Sequence, residues 1–287
     1  MRIAVLADIH SNHIALDTCV KEALARDAEE FIFLGDYIGE LACPQKTMES
    51  LRQIKESSPC TFIRGNKEDN WINRKNGKYG DWQWKDGSSG SGMLKYAYDR
   101  LEERDIQWFE QLPISQRVHY LELPEFVICH GSPWRANEDL REDYDYIDEV
   151  TKKLETELTV CGHFHIQCQY TRHTKRIVNP GSVGVPLFCN GKAQFMILEG
   201  VSGQWNTEFV SLTYDVESVI REMDEEGLSR QAPGWYRATK AVLMGKKVSP
   251  AIVLNKACEF FERYTGKKDW RNIPEEYWNM ACEELEI

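Results

Sequence analysis

Short apolar runs that end in carboxylate or imidazole side chains constrain this chain more than any other feature. Arg2-Ile3-Ala4-Val5-Leu6-Ala7 runs into Asp8-Ile9-His10, and Phe31-Ile32-Phe33-Leu34 runs into Gly35-Asp36. Phe126-Val127-Ile128-Cys129 precedes His130-Gly131, and Leu158-Thr159-Val160-Cys161 precedes Gly162-His163-Phe164-His165. A fifth island, Gly65-Asn66, follows the run from Pro59 to Ile63. Runs this short and apolar, separated by helical patterns, read as strands buried on both faces of an α/β core. Open α/β sheets bind ligands outside the carboxyl ends of their strands, so the five islands are expected to meet in one place. Asp8 and His10 should point the same way, as should His163 and His165, because strand side chains repeat with period two. Gly35 lets the backbone turn close to a ligand.

Two Asp, four His and one Asn supply enough oxygen and nitrogen ligands for two divalent ions, provided one carboxylate bridges them. Each island alone has an ordinary reading. A lone Asp after a strand is commonly a turn or N-cap residue, a lone buried His is usually only hydrogen-bonded, and Asn after Gly marks a turn. Five islands in order at strand ends are a different matter, because one shared site explains them all.

On these residues the chain resembles the calcineurin-like metallophosphoesterase superfamily, whose pattern runs D-x-H, GD, GN-[HDE], H and GH-x-H. The resemblance covers about the first two hundred residues. It implies a four-layer α/β/β/α sandwich with two facing mixed sheets. It further implies that Asp8, His10 and His165 hold one metal, that Asn66, His130 and His163 hold the other, and that Asp36 bridges both together with a water or hydroxide. The activity it implies is metal-dependent cleavage of phosphomonoesters or diesters by that nucleophile, with Asp36, Asn66 and His130 as catalytic groups; Lys67 is expected to join them from its place beside Asn66. Manganese, iron, zinc, nickel and cobalt all suit such mixed ligands.

The family's third island usually carries a His after the Asn, which contacts phosphate and protonates the leaving group. Here the run is Gly65-Asn66-Lys67-Glu68-Asp69. A lysine with an ordinary pKa near ~10.4 can hold a phosphate but is a poor proton donor at neutral pH. A branch that resembles small bacterial phosphodiesterases also lacks this His, which favours diesters, nucleotides and aryl esters. The alternative reading of Lys67 is the polar opening of a solvated helix. Asn12, at the start of the first helix, and Arg135, in the loop after His130, are further candidates for phosphate contact. His13 reads as an outer or surface residue. Cys161 and Cys168 flank the His pair, but oxygen and imidazole ligands already suffice without thiolates.

Helices are expected from Asn12 to Asp27 and from Pro44 to about Lys55, with another closing at Trp108 to Pro113. Two strands should lie between Ile114 and Cys129, and others over Gln167–Arg172, Arg176–Asn179 and Ala193–Leu198. Between the last two sits an Asn179-Pro180-Gly181-Ser182 turn. The resemblance implies that this turn packs near the site in a structural role. Residues 71–98 hold Trp71, Tyr79, Trp82, Trp84, Tyr96 and Tyr98 beside Gly87-Ser88-Ser89-Gly90-Ser91-Gly92. They are either a hinged aromatic lid or an insertion whose Trp residues pack on the first helix layer. The domain reading is therefore 1–215 for the metallophosphoesterase-like unit and 216–287 for a helical C-terminal extension packed on the core.

A net charge of −11 argues against a broad basic surface for bulk nucleic acid, although a dinuclear centre still supplies local positive charge for a small nucleotide. No apolar run approaches the ~18 residues of a membrane span, and the apolar stretch before Asp8 is too short for a signal peptide, so a cytoplasmic protein is expected. Nine dispersed cysteines without a C-x-x-C pair read as reduced core residues. The expected function is a metal-dependent phosphoesterase acting on a small phosphoester, foremost a phosphodiesterase. A phosphomonoesterase, a nucleotide-polyphosphate hydrolase and a non-catalytic scaffold on the same fold are the alternatives. Oligomeric state has no signal.

Overall fold

The computed structural model describes residues 1–287. β1 (Arg2–Leu6) and α1 (His13–Ala25) open the chain, followed by β2 (Glu30–Phe33), α2 (Pro44–Ser57) and β3 (Cys60–Phe62). Then come α3 (Asn66–Lys75), α4 (Gly92–Tyr98), α5 (Glu103–Gln111), β4 (Ser115–Val118), β5 (Phe126–Cys129), α6 (Ile147–Lys153) and β6 (Leu158–Cys161). The last strands are β7 (Gln167–Arg172), β8 (Lys175–Pro180), β9 (Ala193–Val201) and β10 (Gln204–Leu212). Five helices finish the chain: α7 (Val216–Glu225), α8 (Leu228–Gln231), α9 (Pro233–Leu243), α10 (Pro250–Thr265) and α11 (Glu275–Glu284).

The strands form two five-stranded sheets, ordered β10-β9-β1-β2-β3 and β4-β5-β6-β8-β7. Each contains a parallel trio, β1-β2-β3 at one edge of the first and β5-β6-β8 at the middle of the second, with antiparallel strands beside it. Period-two alternation sorts the strand residues into layers. Ile3 and Val5 face Ile128 and Val160 across the gap between the sheets. Ala4 and Leu6 face outward, where they join Leu16 of α1 and Met48 of α2. On the far side Cys129 and Cys161 face Ile147 and Val150 of α6. The result is the α/β/β/α sandwich that the resemblance implied, with all nine cysteines free.

The C-terminal helices bury their own apolar faces and share them with the sandwich. Val219, Met223, Val253, Phe260 and Trp278 form one cluster with Leu41, Met93, Tyr96 and Val185. No helix is long and apolar enough to cross a membrane.

Residues 71–98 pack against the sandwich. Trp71, Trp82 and Trp84 lie in the same cluster as Leu16 and Met48, as the packed-insertion alternative required. Ser89 and Ser91 are buried, and Ser89 is tied to the C-terminal helices: its Oγ donates to Glu275 Oε2 (2.7 Å) and accepts from Gly234 N–H (2.7 Å). Ser91 Oγ accepts from Lys85 N–H (3.1 Å), so both buried hydroxyls of the glycine-serine run are spent inside the protein.

Candidate metal centre

The islands converge, but not through strand alternation. β1 stops at Leu6, and Asp8 and His10 both adopt left-handed backbone, at φ 55° and 49°. Asp36, His163 and His165 do the same, at φ 53°, 76° and 57°. Such angles are rare outside glycine and cluster where a fold holds strained loops at a site. The side chains are aimed by these turns rather than by the pleat, which corrects the period-two expectation.

Backbone bonds tie the turns together. Asp8 N–H donates to Gly35 O (3.1 Å) and His10 N–H donates to Asp36 O (2.9 Å). Glu68, fully buried, accepts from Asp36 N (2.8 Å), Tyr37 N (2.9 Å) and Gly65 N (2.8 Å), clamping the second island to the third. Burial and the Asp36 carboxylate push Glu68 up to about 7, against N–H groups that favour its charge. The Asn179–Ser182 turn packs behind the site: Asn179 Nδ2 donates to Gly162 O (2.6 Å) and Ser182 Oγ to Asp8 O (2.8 Å).

Two compact donor groups result, Asp8 with His10 and His165, and Asp8 with Asp36 and His130. His165 Nε2 lies 3.4 Å from Asp8 Oδ1, and His10 Nε2 lies 3.1 Å from His165 Nε2. The two Asp36 oxygens face different histidines, Oδ1 at 3.4 Å from His130 Nε2 and Oδ2 at 3.6 Å from His10 Nε2. Asn66 Oδ1 is 3.1 Å from His130 Nε2. His163 stands at the rim, its ring 5.2 Å from that of His130 and its Nε2 3.6 Å from Asp139.

The opposite nitrogen of each inner histidine is anchored. His130 Nδ1 donates to Leu34 O (2.7 Å), His165 Nδ1 donates to Val185 O (2.7 Å), and His10 Nδ1 lies against the Glu40 carboxylate. Such anchoring fixes the tautomer and presents Nε2, the usual outer-sphere arrangement of a metal-binding imidazole. Asp8 Oδ1 is buried with no hydrogen-bond partner, an expensive condition that a cation relieves. Oxygen and imidazole donors around an orphaned carboxylate oxygen fit a divalent ion.

Charge on the protein side is sharply polarised. Burial works against the charged forms, yet surrounding histidines hold Asp8 well below the usual carboxylate range and bring Asp36 to about 2. Burial likewise disfavours His10 and His130, but Glu40 with Asp8 raises the first to about 10, and Asp36 raises the second to about 9. Burial and the neighbouring His130 lower His163 to about 4.

A cavity of about 310 Å³ opens over these groups. Lys67 lines it, paired through Nζ with Glu40, and its ammonium sits 5.9 Å from the Trp235 ring. Burial would lower the Lys67 pKa, but Glu40 and Asp36 outweigh it and raise it, so the lysine stays charged. The solvated-helix reading of Lys67 therefore fails, since the side chain is spent on the cavity wall.

Two substrate-contact expectations are corrected. Asn12 is a structural cap: Oδ1 accepts from Ala15 N (3.0 Å), while Nδ2 donates to Gly184 O (3.0 Å) and Tyr214 OH (3.2 Å), leaving nothing for a ligand. Arg135 is exposed and lies off the cavity; Arg141 and Tyr144, later in the same loop, line it instead. Glu40, Glu68, Asp139 and Trp235 were not singled out by motif.

Residues 1–203 match the calcineurin-like phosphoesterase superfamily domain, and the chain belongs to that superfamily. The uncharacterized protein MJ0912 of Methanocaldococcus jannaschii is 22% identical over 81% of this chain and 94% of its own length. Two solved structures share the fold. The hypothetical protein PH1004 of Pyrococcus horikoshii has a TM-score of 0.71 at 20% identity, covering 85% of this chain and 99% of that one. A metallophosphoesterase from Sphaerobacter thermophilus has a TM-score of 0.64 at 21% identity, covering 81% and 98%.

Proposed function

We propose that this chain is a two-metal phosphodiesterase for small phosphoesters. In this reading Asp8, His10 and His165 hold one divalent ion, Asn66, His130 and His163 the other, and Asp36 both. The observation that carries it is the buried, partnerless Asp8 Oδ1, met by three imidazoles whose Nε2 atoms are turned inward by Glu40, Leu34 O and Val185 O. Divalent ions bound there supply Lewis acidity and lower the pKa of water, whether manganese, iron, zinc or nickel is loaded.

The chain's own residues define the rest. Asp36 offers one oxygen to each side of the site, which is what a shared ligand requires. Lys67, kept charged by Glu40, holds a phosphate oxygen by charge and does not release a proton at neutral pH. Arg141 and His163 line the open side of the cavity, where a second phosphate oxygen or ester arm would lie. With no proton donor in the Lys67 position, substrates whose leaving groups depart as stable anions are favoured, hence aryl esters and nucleotide phosphoanhydrides over simple alkyl esters. Residues 1–215 form the catalytic unit in this reading and 216–287 an extension that contributes Trp235 to its rim.

The test is hydrolysis of bis(p-nitrophenyl) phosphate against p-nitrophenyl phosphate by metal-stripped protein reloaded with manganese. Diester turnover should exceed monoester turnover, and Asp36→Asn should reduce it by at least about a hundred-fold, ~2.7 kcal/mol of lost transition-state stabilisation. Unimpaired turnover in Asp36→Asn would remove Asp36 from the centre.

A further inference from the structure

A second cavity, of about 320 Å³, adjoins the metal cavity and shares Glu40, Lys67 and Trp235 with it as a common wall. Two distant parts of the chain build it. Trp71, Tyr79 and Trp82 come from the 71–98 insertion, and Trp235, Leu254 and Trp270 from the C-terminal helical region. The joint is rigid, because Ser89 Oγ binds both Glu275 and the first turn of α9, and Trp82 Nε1 donates to Arg271 O (3.3 Å).

The walls are aromatic and set mainly edge to face. Tyr79 and Trp82 stand 5.4 Å apart at 78°, and Trp82 and Trp270 5.6 Å apart at 67°. In an edge-to-face pair the ring that supplies its edge keeps its own faces clear of that partner, which suits a planar guest. The Asn70 amide also lines the cavity, its Oδ1 accepting from Tyr79 OH (2.6 Å).

An aromatic cage can also hold a quaternary ammonium group, and the charges decide between the two. Arg271 occupies the cation position over Trp82 (5.3 Å) and Trp270 (5.5 Å), and Lys67 occupies it at Trp235. The wall's carboxylate, Glu40, is already engaged by Lys67 and His10. A second cation would face two like charges and no free anion, whereas a neutral heterocycle with acceptor nitrogens and oxygens meets aromatic rings, the Asn70 amide and a guanidinium.

We propose that this cavity is a nucleobase pocket and that the phosphoester cleaved at the neighbouring centre is a nucleotide ester. The inference rests on the phosphoesterase reading for the second half of that statement and on the cavity alone for the first.

Isothermal titration calorimetry on the full chain separates the two. Metal-stripped protein is titrated with adenosine, guanosine and uridine, and with choline and ribose as controls. At least one nucleoside should bind about ten-fold or more tightly than choline or ribose, the scale of one stacked base. Leu254→Trp, which fills the cavity, and Tyr79→Leu, which removes a stacking face, should each abolish that difference while circular dichroism reports intact folding. Asp36→Asn should leave it unchanged. Absence of saturable nucleoside binding, a preference for choline, or binding that survives Leu254→Trp overturns the pocket. With manganese restored, the corresponding nucleoside 5′-monophosphate should bind more tightly than the nucleoside, and the gain should vanish in Asp36→Asn. If the nucleoside binds and the phosphate adds nothing, the pocket holds and the phosphoesterase reading falls.

Discussion

Asp8 and Asp36 are buried carboxylates surrounded by imidazoles, so proton and metal occupancy compete for the same atoms. His10 and His130 have pKa values raised to about 10 and 9, which means that metal-free protein carries both as imidazolium at neutral pH. Raised values give stability that is complete below the ordinary ~6.5 and is lost as pH climbs through about 9 and then 10. Metal-free protein should therefore show a falling melting temperature across that alkaline window. A ligating imidazole must be neutral, so metal affinity should move the opposite way and rise with pH, with up to two protons released on binding. Calorimetry of metal binding in buffers of different ionisation enthalpy checks this, and the absence of proton release would mean that these histidines do not ligate. At this scale the sequence was legible for the donors themselves, because each follows an apolar run. It was silent on the roles of Glu40, Glu68 and Trp235, because a carboxylate among other polar residues, or an indole far along the chain, carries no local mark of what it will face.

Loops after strands, rather than the strands, hold this site in place, and their glycines show how closely they approach. Gly35 has φ +92°, and a Cβ there would lie 2.3 Å from Gly65 N. Gly77 has φ +67° with open space around the same position. Both substitutions to Ala incur the left-handed penalty of ~1–2 kcal/mol, but only Gly35→Ala must also push the second and third islands apart. Urea unfolding should show Gly77→Ala losing about that amount, with Gly35→Ala losing clearly more and binding manganese weakly. Equal losses would mean that the two loops can part without consequence. The elements with strong periodicity or capping, such as α1 behind its Asn12 cap, were readable in advance. β10 was not, since its mostly exposed residues bury little beyond Trp205 and Val210 and it exists by pairing along the whole of β9. The short helices α4, α6 and α8 were also missed, because helices of seven residues or fewer span too few turns to show a face.

The molecule joins a superfamily sandwich to a helical extension through shared apolar packing, with Leu41, Met93, Tyr96 and Val185 in the same cluster as the C-terminal helices. Unfolding of the whole chain should therefore be one cooperative transition by calorimetry and circular dichroism alike. A chain cut after residue 215 should expose that face and melt at clearly lower temperature; an unchanged melting temperature would make the extension a separate appendage. The sandwich could be foreseen because its strands are buried on both faces and its islands are ordered. The joint with the extension could not, since Ser89, Glu275 and Gly234 meet only in three dimensions. The proposed pair of metals, held where the loops after β1, β2, β5 and β6 meet, would unite these scales. The most direct measurement is anomalous diffraction from crystals soaked in manganese. Two peaks beside Asp36, one among Asp8, His10 and His165 and one among Asn66, His130 and His163, are expected, and both should be lost in Asp36→Asn. Crystals of active protein that show no peak in this basin would contradict the proposed centre.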